Sequence, residues 1–263
     1  SDGAGEIVSI GEGVSPSRVG ERVWVYNAQY GRQFGTSAEY VCLPSDYAII
    51  LPESADYNTG AMMGIPAMTA HRCVFADGSV EGQTLLITGG AGRVGYYAIQ
   101  WAKQYGATVI STASSDASRE QCNNAGADLV VGHPSDESVS EILDYTDGKK
   151  IDRIIEGDFG ANLLPVLEVL KVGGTIATYS SMTDMNPSIP FVRMMFMDIT
   201  IRMVLVYEMP DEAKEHAAKD ITTMLGQNRF DNRVAKEYSL DDIASAHTLI
   251  ESGKPHGSVI IKP

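Results

Sequence analysis

The sequence predicts an α/β fold in which a doubly wound parallel sheet of six strands is joined to a smaller β-rich unit. Three observations predict it. From Gln83 onward, short apolar runs rich in β-branched residues alternate with segments of helical period. The first run, Thr84-Leu85-Leu86-Ile87-Thr88, passes at once into a glycine cluster and then into a helical pattern ending at Gly106. Ahead of Pro52 the apolar period is two, punctuated by glycine and proline, as in a small barrel or sandwich.

The sheet strands are expected at 84–88, 107–113, 128–131, 151–156, 173–179 and 199–206, with helices near 93–105, 117–125, 137–146, 160–170 and 189–196. Strands joined through helical crossovers run parallel. In the β-rich part, strands are expected at 6–10, 21–26 and 38–43. Residues 52–72 read as one or two connector helices broken at Pro66, which lacks an N–H. Beyond Pro210 an acidic-led helix at 211–225 precedes polar strand-like pieces, a helix at 241–252 and a closing strand at 258–261. The expected domains are a Rossmann dinucleotide-binding domain at 72–205 and a second domain built from 1–71 and 206–263.

Gly90, Gly92 and Gly95 fit G-x-G-x-x-G between a strand and a helix. In that setting the first glycine allows a tight turn, the second lets a pyrophosphate approach the backbone, and the third lets helix and strand pack closely. Arg93 and Val94 open the helix, where unpaired N–H groups and the positive dipole end favour phosphate. An Asp or Glu at the end of the second strand would bind the 2′-hydroxyl of NAD. Here Thr108-Val109-Ile110-Ser111-Thr112-Ala113 is followed by Ser114 and Ser115, and the first acid is Asp116. Small hydroxyls leave room for a 2′-phosphate, to which Arg119 and His133 can bring charge or hydrogen bonds. NADPH is therefore expected over NADH. Two plainer readings stay open: Ser114 as a helix N-cap and Arg119 as a solvated helix residue.

The 263 residues are 44% hydrophobic and 21% charged, an ordinary globular composition. Twenty basic against 34 acidic side chains leave a formal charge of −14, which argues against nucleic acid or an anionic membrane as the main partner. No apolar run is long enough to span a bilayer. Cys42, Cys73 and Cys122 are odd in number, far apart and without C-x-x-C spacing, so reduced thiols in a cytoplasmic protein are expected, with no metal site.

The ordered motifs resemble the zinc-independent quinone oxidoreductases of the medium-chain dehydrogenase/reductase superfamily, the zeta-crystallin-like group. The matching text is Asp2-Gly3-Ala4-Gly5-Glu6-Ile7, Gly11-Glu12-Gly13-Val14, Gly20-Glu21-Arg22-Val23, Ala38-Glu39-Tyr40-Val41 and Gly64-Ile65-Pro66-Ala67-Met68-Thr69-Ala70. The glycine motif, Asn124-Ala125-Gly126-Ala127-Asp128, Gly173-Gly174-Thr175, Ala246-His247 and Gly257-Ser258-Val259-Ile260-Ile261 extend it over nearly the whole chain. The resemblance implies a GroES-like β-barrel for the second domain and hydride transfer from NADPH to a quinone or similar electron-poor carbonyl acceptor. An enoyl or alkenal double-bond reductase is the alternative on the same scaffold. An NADPH-binding structural or regulatory protein with little turnover is the alternative of another class.

Departures from the family pattern carry weight too. Zinc-dependent relatives have Gly-His-Glu where this chain has Ser1-Asp2, and their four-cysteine loop has no counterpart here. The family has a strand-rich segment ahead of the present Ser1, so a partial, N-terminally truncated barrel is expected. Where members place an arginine near the adenosine phosphate, Gly253 stands beside Lys254, which would act as a point charge.

The resemblance also implies site residues. Thr69 would lie by the nicotinamide or its phosphates. Gly157 and Tyr179-Ser180-Ser181 would end the fourth and fifth strands, where Ser180 or Ser181 could bond the cofactor. Asn27 and Tyr26, with Thr69, are the catalytic candidates, either of the first two holding a substrate oxygen, although their sequence setting favours a surface-loop role. The strand at 199–206 would be a sheet edge that pairs with its copy in a homodimer.

Overall fold

The computed structural model describes residues 1–253 and 255–263, so Lys254 lies outside the described residues. The chain divides into two compact units, one formed by Ser1–Met68 and Val206–Pro263, the other by Thr69–Leu205.

In the first unit, β1 (Gly3–Glu6), β2 (Arg22–Val25) and β3 (Ala48–Ile50) form an antiparallel sheet. The third strand is not the expected 38–43 segment, which makes no ladder. The alternation there reflects burial alone: Val41 and Leu43 pack on Val23, Val25 and Ala28, while the Arg32 guanidinium donates to the Cys42 carbonyl. The first strand likewise sits earlier than the expected 6–10: Ile7 still exchanges backbone bonds with Gly20 and Glu21 ahead of β2, and residues 8–10 make no ladder. The short helix α1 (Tyr57–Gly60) is capped by Asp56. A π-helical turn at Met63–Ala67 then contains Pro66, so the expected break is a wide turn leading into α2 (Met68–Phe75).

The second unit is an α/β Rossmann sheet. Its strands are β4 (Thr84–Ile87), β5 (Thr108–Thr112), β6 (Leu129–Val131), β7 (Ile151–Glu156), β8 (Leu170–Thr178) and β9 (Thr200–Met203). All pair in parallel, in the order β6-β5-β4-β7-β8-β9. The crossover helices are α3 (Arg93–Gln104), α4 (Asp116–Ala125), α5 (Asp136–Tyr145), α6 (Phe159–Val169) and α7 (Phe191–Phe196). The central strands read as unbroken apolar runs because helices cover both faces. Leu86, Ile110, Ile154 and Ile176 accordingly share one buried cluster with Phe159, Leu163 and Met194. The order reverses between β4 and β7, so their carboxyl ends form the crevice where ligands of such sheets bind.

The remaining elements return to the first unit: α8 (Asp211–Gly226), β10 (Val234–Ser239), α9 (Ile243–Glu251) and β11 (Ser258–Lys262), the two strands pairing in parallel. Trp24, fully buried, points its indole Nε1 at Thr222 Oγ1 of α8, 3.5 Å away, and so ties β2 to this C-terminal segment.

Candidate functional site

The glycine turn occupies the crevice end of β4. Its first two N–H groups are spent on β5: Gly89 donates to Thr112 Oγ1 at 2.9 Å and Gly90 to the Thr112 carbonyl at 3.2 Å. Gly92 donates back to the Gly89 carbonyl and is the N-cap of α3, which no side chain caps. The N–H groups of the first helical turn, from Arg93 and Val94, thus have no capping side chain, and Arg93 is exposed.

The structure redistributes the glycine roles. The left-handed residue of the turn is Gly89, at φ +63°, not Gly90. Gly90 must be glycine for lack of space, since a Cβ there would sit 1.9 Å from Ser111 Oγ and 3.0 Å from Cys122 Sγ. At Gly95 a Cβ would sit 2.5 Å from the Gly89 carbonyl, so helix and turn touch backbone to backbone as expected. At Gly92 the nearest atom would be that same carbonyl at 3.1 Å, which leaves its other side open. This open, uncapped cradle fits a pyrophosphate.

One strand away, β5 ends without a carboxylate. Ser115, not Ser114, caps α4, its hydroxyl accepting from Ser118 N at 3.2 Å; Ser114 is exposed. Arg119 is half-buried and donates from Nη1 to the Val130 carbonyl of β6 at 2.6 Å, which holds the guanidinium against the sheet end. His133 follows β6 and is exposed.

On the other side of β4, the half-buried Ser181 accepts from Gly160 N at 2.9 Å and donates to the Asp184 carbonyl, so its hydroxyl is used within the loop. Ser180 contributes its carbonyl to Phe159 N at 3.0 Å and to the Thr178 hydroxyl at 3.1 Å. Thr69 is buried in the first turn of α2.

The second unit therefore brings Gly90, Gly92, Arg93, Val94 and Gly95 into one turn, with Ser114, Ser115, Arg119 and His133 on the β5–β6 side and Ser180 and Ser181 on the β8 side. Tyr26 and Asn27 belong to the first unit. Tyr26 is buried, with its phenol 3.4 Å from the Asp46 carbonyl, and burial first, then Tyr47 and nearby acids, push it up to about 12. Asn27 adopts φ +52°, is only 2% exposed, and its Oδ1 has no hydrogen-bond partner among the described residues. An orphaned buried acceptor of this kind is costly and suits a ligand-contacting role.

Sequence reasoning missed a further group at the crevice, Glu156. It ends β7, is fully buried, and its Oε1 accepts from Thr88 Oγ1 at 2.9 Å, Asp158 N at 2.6 Å and Asn162 Nδ2 at 2.8 Å. Among the described residues its Oε2 has no partner. Burial raises its carboxyl above the usual range, against the lowering pull of the Asn162, Asp158 and Thr88 donors. The only sequence signal was a carboxylate placed directly after Ile154-Ile155 in a strand read as buried.

A six-stranded doubly wound sheet with a glycine turn at its switch point defines a dinucleotide-binding Rossmann unit, the class shared by nicotinamide-dependent oxidoreductases. Comparison with known proteins agrees. The family model "Zinc-binding dehydrogenase" matches residues 94–223. A quinone oxidoreductase of Pongo abelii is 30% identical over 96% of this chain and 75% of its own length. A mycobacterial quinone oxidoreductase structure superposes with a TM-score of 0.89 at 25% identity, covering all of this chain and 82% of that one. An Escherichia coli quinone oxidoreductase complexed with NADPH shares the fold, with a TM-score of 0.87 at 22% identity over all of this chain and 81% of that one. The chain belongs to the quinone oxidoreductase family of the medium-chain dehydrogenase/reductase superfamily.

Proposed function

We propose that this protein transfers hydride from NADPH to a quinone or a similar electron-poor carbonyl acceptor, without zinc. The observation that carries the reading is the uncapped glycine cradle at the switch point beside a β5 end that bears hydroxyls and no carboxylate. The NADPH complex of the Escherichia coli relative supports it. Gly92, Arg93 and Val94 would hold the pyrophosphate by backbone N–H groups. Ser114, Ser115 and Arg119 would meet the 2′-phosphate: the Arg119 fork spends one N–H on Val130 and presents others. Lys254 is proposed as a further phosphate contact. NADPH, when bound, supplies the hydride; the protein positions it and keeps water out.

The cysteines do not favour a zinc site. Zinc takes thiolate, and burial holds the Cys73 thiol up at about 12, while Cys122 is buried against Ser111 and Cys42 is at the surface. Thiols held outside any disulfide suit a reducing, cytoplasmic setting. A homodimer through β9 is part of the same reading: β9 is the sheet edge, with Met203 and Phe196 exposed beside it.

The test is NADPH oxidation with a panel of quinones and of conjugated enones. Quinone-dependent oxidation supports the reading. Oxidation with enones alone replaces it by double-bond reduction, and NADPH binding without any acceptor-dependent oxidation replaces it by a binding role. For the cofactor, NADPH should bind at least tenfold tighter than NADH, and Arg119→Ala should erase most of that difference.

A further inference from the structure

The strand ends on either side of the crevice have no ladder beyond Ile87–Ile155 and the Thr88 N–H to the Ile155 carbonyl. From there the chain after β4 leans toward β5 through Gly89 and Gly90, while the chain after β7 turns into α6. A gap that must hold a pyrophosphate at hydrogen-bond distance needs a fixed width. Backbone pairing does not provide it past Thr88. Side chains do. The Thr88 hydroxyl accepts from Gly157 N at 2.9 Å and donates to Glu156 Oε1, and that same oxygen gathers Asp158 N and Asn162 Nδ2. One carboxyl oxygen thus joins the residue before the glycine turn, the turn after β7 and the first turns of α6. Glu156 and Thr88 are both buried.

We propose that Glu156 is a positioning residue for the dinucleotide, fixing the separation of the β4 and β7 ends by clamping Thr88, Asp158 and Asn162 on Oε1. The inference rests on the reading of the glycine turn as the pyrophosphate site. It explains the lopsided bonding of the side chain: the clamp needs a single acceptor oxygen, which a glutamine side chain also carries. The function of Glu156 is therefore in its shape and acceptor, not in its charge.

The test is fluorescence titration of the full chain with NADPH and with adenosine 2′-phosphate, which lacks the pyrophosphate, alongside thermal melting. Glu156→Gln should bind NADPH within about twofold of the unaltered chain. Glu156→Ala and Thr88→Val should each weaken NADPH about tenfold, the order expected for orphaning a buried hydrogen-bonded group. Adenosine 2′-phosphate should bind all four proteins alike. Unchanged NADPH affinity in Glu156→Ala and Thr88→Val overturns the inference, as does equal weakening of both ligands, which would mark a general loss of structure. If Glu156→Ala does not fold, Thr88→Val and Glu156→Gln decide alone. Failure of the unaltered chain to bind NADPH overturns the cofactor reading and this inference with it; failure confined to the variants' expected pattern overturns only the latter.

Discussion

Arg202, on the edge strand β9, clamps the carboxylate of Asp77 with Nε 3.0 Å from both oxygens and a second contact from Nη2. The same carboxylate receives Arg153 Nη1 at 3.2 Å, and Arg153, only 3% exposed, also donates to the Cys73 carbonyl at 3.1 Å. One acid therefore serves two guanidiniums, one of them inside the sheet. Removing it leaves a buried cation without a counter-ion, and Asp77→Ala should cost about 3–5 kcal/mol of unfolding free energy. Arg202→Ala, which leaves Arg153 paired, should cost much less. Denaturant titration measures both; equal losses would show that Arg153 does not depend on Asp77.

The Asp77 cluster also sets an acid limit. Hydrogen bonds from Arg202, and then the charge of Arg153, hold its carboxyl below the usual carboxylate value against the opposing effect of burial. A depressed native value contributes stability above the ordinary carboxylate pKa that is lost as pH falls through the native one. Denaturation midpoints should drop more steeply below about pH 4 in the unaltered protein than in Asp77→Asn.

Glu156 carries the opposite sign. Its native value is raised, so its contribution is fully present below the ordinary glutamate pKa and lost as pH rises through the native value. Glu156→Gln, neutral at every pH, should flatten that decline above about pH 4. Identical pH profiles for the two proteins would contradict the assignment.

At the glycine turn, Gly95→Ala drives a methyl to 2.5 Å from a backbone oxygen that has nowhere to go. NADPH affinity should fall more than tenfold, with a loss of about 1–3 kcal/mol in stability. Calorimetric titration and denaturant unfolding check the pair.

For assembly, Met203→Asp places a charge on the exposed edge of β9. Light scattering should show the unaltered chain as a dimer and the variant as a monomer. Two monomers would remove the homodimer from the reading.

The sheet was legible because its strands are apolar on both faces: Leu85-Leu86-Ile87 and Ile154-Ile155 announce themselves whatever their neighbours. The β-rich unit was less so. Residues 38–43 alternate as a strand would, yet the alternation serves packing on Val23 and Val25 while Arg32 takes the Cys42 carbonyl, a contact no local pattern signals. At the site, the glycine motif was plain, but which glycine turns left-handed depends on how Thr112 draws the chain toward β5. Ser115 rather than Ser114 became the cap because the helix begins at Asp116. Glu156 was invisible as a site residue because the partner that ties it to the glycine turn, Thr88, lies 68 residues away in the sequence.

The crowding beneath Gly90 has a consequence for how this site can diversify. Ser111 Oγ of β5 and Cys122 Sγ of α4 occupy the volume into which any larger residue at position 90 would grow. Positions 90, 111 and 122 therefore share one fixed allowance of space, and a lineage or a library can enlarge one only by shrinking another. Gly90→Ala alone should be inactive, whereas Gly90→Ala with Ser111→Gly should recover part of the NADPH affinity. The shape of the cofactor turn is thus inherited partly from side chains that no ligand touches.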